Sequence, residues 1–159
     1  MQISQILTDN DIFLALIDII NKAQRTIDFM TFKLDLKQGS KRGKINKIFE
    51  ALQAAQNRGI KIRAQLQIGH NSIGTPHTNH NAARILTETG IETRHPTGER
   101  IQHAKLFIID NEIVLIGSHN LSNKSFEYNC EVSILFYDKK ISENLTRYFE
   151  HTWGMGSQL

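Results

Sequence analysis

Two short apolar runs separated by a three-residue turn constrain the fold more than any other feature of the sequence. The runs are residues 106–109 and 113–116, with Asp110, Asn111 and Glu112 between them. Each run is too short for a helix, is rich in β-branched residues and is bounded by turn residues. The pattern therefore predicts two adjoining strands that are buried on both faces of a sheet.

Polar side chains stand at the outer ends of these two predicted strands. His103 and Lys105 come just before the first run, and Ser118 and Asn120 come just after the second. Side chains two residues apart share a face of a strand, so each pair is predicted to point the same way. An imidazole, an ammonium, a hydroxyl and an amide would then meet at one edge of the sheet. This set suits a phosphodiester, because it offers a nucleophile or base, a cation and two neutral donors.

The spacing H-x-K-x4-D, followed after six residues by G-S-x-N, resembles the signature of the phospholipase D superfamily. The matching residues are His103, Lys105, Asp110, Gly117, Ser118 and Asn120. Glu131, further along the chain, also fits the pattern of that superfamily. The alternative is a buried hairpin whose polar ends match by coincidence, and the intact spacing throughout disfavours it.

The remainder of the chain alternates between helix and strand patterns. Helices are predicted over residues 9–24, 45–58, 80–89 and 142–153, and strands over 25–34, 60–68, 91–94 and 131–137. Thr8, Asp9 or Asn10 is a candidate N-cap for the first helix and Ser142 for the last. Gly59 ends the second helix and a strand follows at once, an arrangement that predicts parallel pairing. We expect one α/β domain over residues 1–159, with a mixed, mostly parallel central sheet and helices on both faces.

The charge of the chain favours a polyanionic partner. The net charge is +3, and a loop over residues 35–44 holds four of the cations. These are Lys37, Lys41, Arg42 and Lys44. Loops that follow a strand in α/β sheets flank the ligand crevice, so the cations are candidates for contact with a nucleic-acid backbone. The alternative is a solvated surface loop.

Three histidines, His70, His77 and His80, fall within eleven residues and raise a metal hypothesis. Their spacing lacks the paired short repeats of a zinc site and no cysteine is near, so a polar rim or a plain loop is the preferred interpretation. Cys130 is the only cysteine, which excludes an intramolecular disulfide. We therefore predict no metal and no cofactor.

The single H-x-K motif resembles the short superfamily members that work as homodimers. In-line displacement at phosphorus needs a nucleophile and an acid on opposite sides, and one histidine cannot occupy both positions. The resemblance therefore implies a two-fold dimer in which both His103 rings face the phosphorus. One ring would form a phosphohistidine and the other would protonate the leaving oxygen. Lys105, Ser118 and Asn120 would hold the phosphoryl oxygens, and Glu131 would orient the far nitrogen of His103.

Strand alternation separates two further residues from this set. Asp110 belongs to the signature and so is kept among the candidate catalytic residues, but alternation places it on the face opposite His103 and Lys105, so a structural role or support from behind the site is favoured. His119 is predicted to point away from Ser118 and Asn120 and to be non-catalytic.

The substrate class is less constrained, because the superfamily covers phospholipases, phosphatidyl transferases and nucleases that share the reacting group. The short chain, its single motif and its basic charge favour an endonuclease, with DNA preferred to RNA as its substrate. The sequence has no apolar run long enough for a membrane span and no leader peptide, so we expect a cytoplasmic protein that does not bind membranes. The alternatives are a lipid phosphodiesterase or transferase and a non-catalytic nucleic-acid-binding module.

Overall fold

A single eight-stranded sheet organises the chain, as a computed structural model shows for residues 3–37, 39, 43–69 and 78–158. The strands are β1 (Ile3–Thr8), β2 (Thr26–Thr31), β3 (Lys61–Leu66), β4 (Glu92–Pro96), β5 (Leu106–Ile109), β6 (Ile113–Gly117), β7 (Val132–Tyr137) and β8 (Gly156–Gln158). The helices are α1 (Asp11–Lys22), α2 (Lys44–Asn57), α3 (Thr78–Glu88), α4 (Asn123–Glu127) and α5 (Lys139–Gly154). The strand order is β1-β7-β6-β5-β2-β3-β4-β8, so the two apolar runs form the middle of the sheet as predicted.

The sheet is mixed, which confirms the predicted fold class. Parallel pairs join β2 to β3 and β3 to β4, the strands that helices connect. The other five of the seven pairs are antiparallel, so the expectation of a mostly parallel sheet needs correction. The physical reason is that parallel pairing requires a crossover connection, which α2 and α3 supply between β2 and β4, whereas β5 and β6 are joined by the turn at residues 110–112.

Alternating side chains of the central strands build two separate cores. Ile27, Phe29 and Phe107 belong to the core beneath α1, α2 and α3, and the rings of Phe29 and Phe107 stack at 5.0 Å. Met30 and Leu106, one residue out of phase, pack in the second core with Phe149 and Trp153 of α5. Both faces of β2 and β5 are therefore buried, as the continuous apolar run of β5 predicts.

The turn between β5 and β6 is formed by residues that tolerate left-handed backbone. Asp110 and Asn111 have φ angles of 56° and 59°, and the amide of Glu112 donates to the carbonyl of Ile109 at 3.0 Å. Two left-handed central residues match the twist of a tight hairpin, and Asp and Asn are the side chains that accept this conformation most readily. The predicted turn is confirmed.

Several element boundaries differ from the sequence prediction. The edge strand β1 was not predicted, because its side chains are mostly exposed and Leu7 alone of its described side chains is buried. The N-cap of α5 is Asp138, whose carboxylate accepts from the amide of Ile141 at 2.9 Å. Ser142 lies inside that helix and is fully buried, so its assignment as the cap was wrong. Asn10 precedes α1 without a side-chain capping bond.

Candidate active site

The start of β5, the end of β6 and the start of β7 meet at one edge of the sheet. β6 pairs antiparallel with both neighbours, so its last residues lie beside the first residues of the other two strands. His103 and Lys105 lead into β5, and Ser118 follows β6 directly. Glu131 precedes β7. The register of three strands thus brings together residues that are up to 28 positions apart in the sequence.

The ammonium of Lys105 lies against the imidazole of His103. Its Nζ atom is 3.2 Å from Nδ1 and 3.3 Å from Nε2 of the ring, and it donates to the carbonyl oxygen of His103 at 2.6 Å. Burial of Lys105 lowers its pKa, against the opposing effect of the Glu131 carboxylate. A half-buried cation beside an exposed imidazole is suited to hold an anionic group that the ring could attack.

Phe32 completes the support of this pair and was not predicted from the sequence. Its ring centroid lies 4.8 Å from that of His103, and the Nζ atom of Lys105 lies 5.4 Å from it. The contact combines ring packing with a cation–π interaction. Phe32 follows β2, and only the strand order, which places β2 next to β5, could have revealed it.

Ser118 and Glu131 form a second pair at the same edge. The Ser118 hydroxyl donates to the Glu131 carboxylate in a short hydrogen bond and accepts from the amide of Val132 at 3.0 Å. Asn129 donates to the other carboxylate oxygen at 2.9 Å. Burial works to raise the pKa of Glu131, but the hydrogen bonds from Ser118 and Asn129 outweigh it and hold that pKa below its usual range.

The orienting role predicted for Glu131 has a different geometry within one protomer. Among the hydrogen bonds of the described residues, none joins Glu131 to His103, and both carboxylate oxygens have other donors. The bond between Glu131 and His103 therefore stays a prediction. The Ser118 hydroxyl, which was expected to hold a phosphoryl oxygen, has its hydrogen directed to Glu131 instead.

The side-chain oxygen of Asn120 holds this residue in place. The Oδ1 atom accepts from the amide of Lys33 at 3.1 Å, and a parallel bridge joins Leu34 to Leu121 beside it. The amide nitrogen of Asn120 has no partner within the part of the chain that the structure describes. Its two N–H donors are therefore available, and the contact with a phosphoryl oxygen stays a prediction.

Three buried side-chain amides, which were not predicted from the sequence, fix the backbone on both sides of the site. The side-chain oxygen of Gln102 accepts from the backbone amide of Ala104 at 2.6 Å. The backbone amide of Gln102 donates to the side-chain oxygen of Gln67 at 2.6 Å. His103 therefore sits between two anchored residues. Asn79 donates to the carbonyls of Phe32 and Gln67 at 2.7 and 2.8 Å. It also accepts from the amide of Leu34 at 2.9 Å.

The other two residues of the G-S-x-N segment, Gly117 and His119, have structural roles. A Cβ atom at Gly117 would collide with Ser133 and with the carbonyl oxygen of Val132, so only glycine lets β6 approach β7 this closely. The His119 ring is buried and its nitrogens contact the Ser133 hydroxyl at 2.8 Å and the Asp9 carbonyl at 2.9 Å. It lies inside the fold, as alternation predicted.

The structure does not bring Asp110 to the site. It lies at the opposite end of β5, where its carboxylate accepts from the amides of Gln24, Arg25 and Thr26 at 2.8, 2.7 and 2.9 Å. Arg25 also donates to its carbonyl oxygen at 2.6 Å. Asp110 ties the hairpin to the start of β2, which matches the structural role favoured by the sequence.

The basic loop lies partly and the histidine loop largely outside the described residues, which include neither Lys41, Arg42, His70 nor His77. Lys37 and His80 are exposed. Lys44 starts α2, donates to Asn10 in a short hydrogen bond and lies 5.5 Å from the ring of Phe13, so its charge is engaged within the fold. Within the described ranges, no three His, Cys, Asp or Glu side chains come together as a metal-binding group.

Fold and site together define a member of the phospholipase D superfamily, whose enzymes act on phosphodiester bonds. The family model described as "Cardiolipin synthase, PLD-like domain" matches residues 16–153. The chain belongs to that family.

Solved structures of similar size share the whole fold. Nuc from Salmonella typhimurium, a phospholipase D family member, matches with a TM-score of 0.84 at 22% identity, over 100% of this chain and 99% of that one. NucT from Helicobacter pylori matches with a TM-score of 0.80 at 18% identity, over 100% of both chains.

Curated relatives with higher sequence identity are longer proteins. The probable cardiolipin synthase YwiE of Bacillus subtilis is 29% identical over 100 residues, which are 63% of this chain and 20% of that protein. Cardiolipin synthase 1 of Staphylococcus epidermidis is 30% identical over the same shares. The chain spans about a fifth of the length of these relatives. Across the described ranges, none of the helices has the length and apolar character that a bilayer crossing requires.

Proposed function

We propose that this chain is a metal-independent phosphodiesterase that cuts nucleic acid, with DNA preferred to RNA, at a site shared by two copies of the chain. The observation that carries the proposal is the convergence of His103, the Lys105 ammonium and the free amide of Asn120 at one sheet edge. A nucleophile, a cation and a neutral donor within one small region are what attack on a phosphodiester needs.

The reaction proceeds in two displacements at phosphorus. A neutral His103 ring nitrogen forms a bond to phosphorus while the bond to the leaving oxygen breaks, which gives a phosphohistidine. The partner's His103 donates its proton to the leaving oxygen and then removes a proton from water. That water attacks phosphorus, breaks the phosphorus–nitrogen bond and restores the first ring.

Each polar side chain has a distinct part in this scheme. Lys105 and the Asn120 amide bind the non-bridging oxygens, on which charge builds during attack. The contact between Ser118 and Glu131 places a carboxylate near Lys105, which favours the charged form of the ammonium. No step requires a metal ion, because the imidazoles supply acid and base and the lysines supply positive charge.

A partly uncovered apolar surface beside the site, in which Ile116 and Ile134 are half-buried, supports a second copy of the chain as the partner. Ile6, Ile134 and Ile116 are direct cross-strand neighbours on one face of the sheet, and Val132 shares that face. Ile6 is 74% exposed and Val132 is 51% exposed. We call these four residues the apolar sheet patch. Val132 adjoins Glu131 in the chain, so contact between two patches would bring two sites near each other.

Nucleic acid is favoured as substrate by the basic charge of the chain, and the two solved structures that match its whole length carry the names Nuc and NucT. A lipid substrate is the second candidate, and the observation that favours it is the printed name of the sequence relatives, cardiolipin synthase. The reacting group is a phosphodiester in both cases, so the site residues serve either substrate.

The decisive experiment offers both substrates under metal-free conditions. Wild-type protein and His103→Ala are incubated in excess EDTA with single-stranded DNA, duplex DNA, RNA and phosphatidylglycerol vesicles. We expect cleavage of nucleic acid by the wild type and none by His103→Ala. Turnover of the phospholipid without any strand cleavage would refute the nuclease proposal, and binding of DNA without turnover of any substrate would refute catalysis.

A further inference from the structure

A cavity of about 550 Å³ opens beside the active site, between α5 and the segment that leads to His103. Its floor is the sheet face at Met30 and Gln65, and its walls come from the end of β4, from the residues before β5 and from α5. The lining residues are Met30, Gln65, Pro96, Thr97, Arg100, Ile101, Gln102, Tyr148, Thr152 and Met155. The catalytic scheme assigns no task to this cavity.

The cavity is rigidly linked to the site. Gln102 lines it and precedes His103 in the chain, and consecutive Cα atoms are about 3.8 Å apart. Gln102 is anchored by its bonds to Gln67 and Ala104, so the backbone between the cavity and His103 is held in place. A group attached one nucleotide away from a phosphate at His103 therefore falls within reach of the cavity.

The lining combines an aromatic face, a cation and amide groups. Tyr148 is 47% exposed, and its ring is open for stacking. Arg100 has no carboxylate partner within the described part of the chain, so its guanidinium is available at the rim. Gln65 is buried at the floor and donates one amide N–H to the carbonyl of Thr152, which leaves its second N–H for another acceptor.

We propose that this cavity binds an unpaired nucleobase of the nucleotide next to the scissile phosphate. The inference rests on the proposed nuclease function and names the form of its substrate. Tyr148 stacks on the base, Arg100 contacts the adjoining phosphate and the Gln65 amide meets a polar atom at the edge of the base. A base in a duplex is already stacked, and extruding it costs energy, so single-stranded or unpaired segments are preferred.

An acyl chain fits the lining less well. It would place hydrocarbon against the remaining amide N–H of Gln65 without offering it a hydrogen bond. It would also leave the guanidinium of Arg100 without an anion at that point. The chemistry of the floor and the rim therefore favours a base.

The test measures binding of fluorescein-labelled oligothymidylate by His103→Asn, a background in which bound strands stay intact. Adding Tyr148→Ala should weaken binding about 5- to 100-fold, and Tyr148→Phe should leave it near the parent value. An abasic strand of the same length and charge should bind both proteins equally, because it offers no base to stack. Tyr137→Ala, at an exposed tyrosine of β7, is the matched control and should change nothing.

The outcomes separate this inference from the proposed function. Strand cleavage by the wild type together with unchanged oligothymidylate binding in Tyr148→Ala would overturn the base site and leave the nuclease standing. Equal losses for the intact and the abasic strand would also overturn it. Loss of binding to phosphatidylglycerol vesicles in Tyr148→Ala, with oligothymidylate binding retained, would assign the cavity to an acyl chain. Tyr148-dependent binding without cleavage by the wild type would support the base site and refute the nuclease.

Discussion

Asn79 offers the sharpest test of how the fold holds the site. The side chain is fully buried and bonds three backbone groups, namely the amide of Leu34 and the carbonyls of Phe32 and Gln67. Asn79→Ala removes the partner of all three. Each buried polar group left without a partner costs about 1–3 kcal/mol, so the lower bound for three groups is about 3 kcal/mol. That is a large part of the 5–15 kcal/mol that stabilises a typical domain.

The same substitution should slow the reaction, because the carbonyl of Phe32 loses its anchor and the Phe32 ring packs on His103. Asn79→Asp is the informative second variant. It keeps an acceptor for Leu34 but turns an oxygen toward two carbonyl oxygens, so it should also destabilise the fold.

Urea unfolding measures the change in free energy, and initial rates on DNA measure the change in turnover. Asn81→Ala on the same helix is the control, because its amide makes a longer bond of 3.4 Å to the carbonyl of Leu36. We expect its unfolding free energy to stay within about 1 kcal/mol of the wild type. An equally small change in Asn79→Ala would refute the assignment of Asn79 as the central anchor.

Three further predictions concern charge, packing and assembly. Because the pKa of Lys105 is lowered, its positive charge is lost as the pH rises through a value below 10.5. DNA binding by His103→Asn should therefore fall at a lower pH than binding by the double variant His103→Asn with Lys105→Arg. Identical pH curves for the two proteins would contradict this. Gly117→Ala should reduce the urea-unfolding free energy by about 1–3 kcal/mol, because the added Cβ atom meets Ser133. The control Gly154→Ala places its Cβ atom in open space and should be tolerated. Equal stability of the two variants would contradict the packing argument. Ile6→Lys in the apolar sheet patch should yield an inactive protein that is monomeric by light scattering. The control Leu14→Lys, at a side chain that is 71% exposed on α1, should stay dimeric. A dimeric Ile6→Lys would exclude the patch as the interface.

Local pattern was enough to predict the part of the fold that carries the signature. The β5–β6 hairpin depends on apolar runs and turn residues that are adjacent in the sequence. Alternation predicted that His119 points away from the site, whereas Asp110 is separated from the site by its position in the turn at the far end of β5. The edge strand β1 escaped prediction, because it has water on one side and its partner β7 begins more than 120 residues later. The N-cap of α5 was misassigned, because Asp138 and Ser142 are both good caps and only the packing of the helix distinguishes them.

The supporting residues of the site could not be predicted for a different reason. Phe32 and Asn79 reach the signature only through strand order and helix packing, and the bond between Asn79 and Phe32 spans 47 residues. Gln102 adjoins the signature, but a glutamine at that place has no distinctive pattern. Catalytic groups can be predicted when they are close together in the sequence. The side chains that hold those groups in position are determined by tertiary contacts, which the local sequence does not show.

The three amides that converge on Asp110 have a consequence for genetics. A signature aspartate is readily counted among catalytic groups, yet here it joins segments that are 84 to 86 residues apart before any substrate is present. Loss of that carboxylate should act as a temperature-sensitive lesion, with chains accumulating in inclusion bodies at high growth temperature and regaining function in the cold.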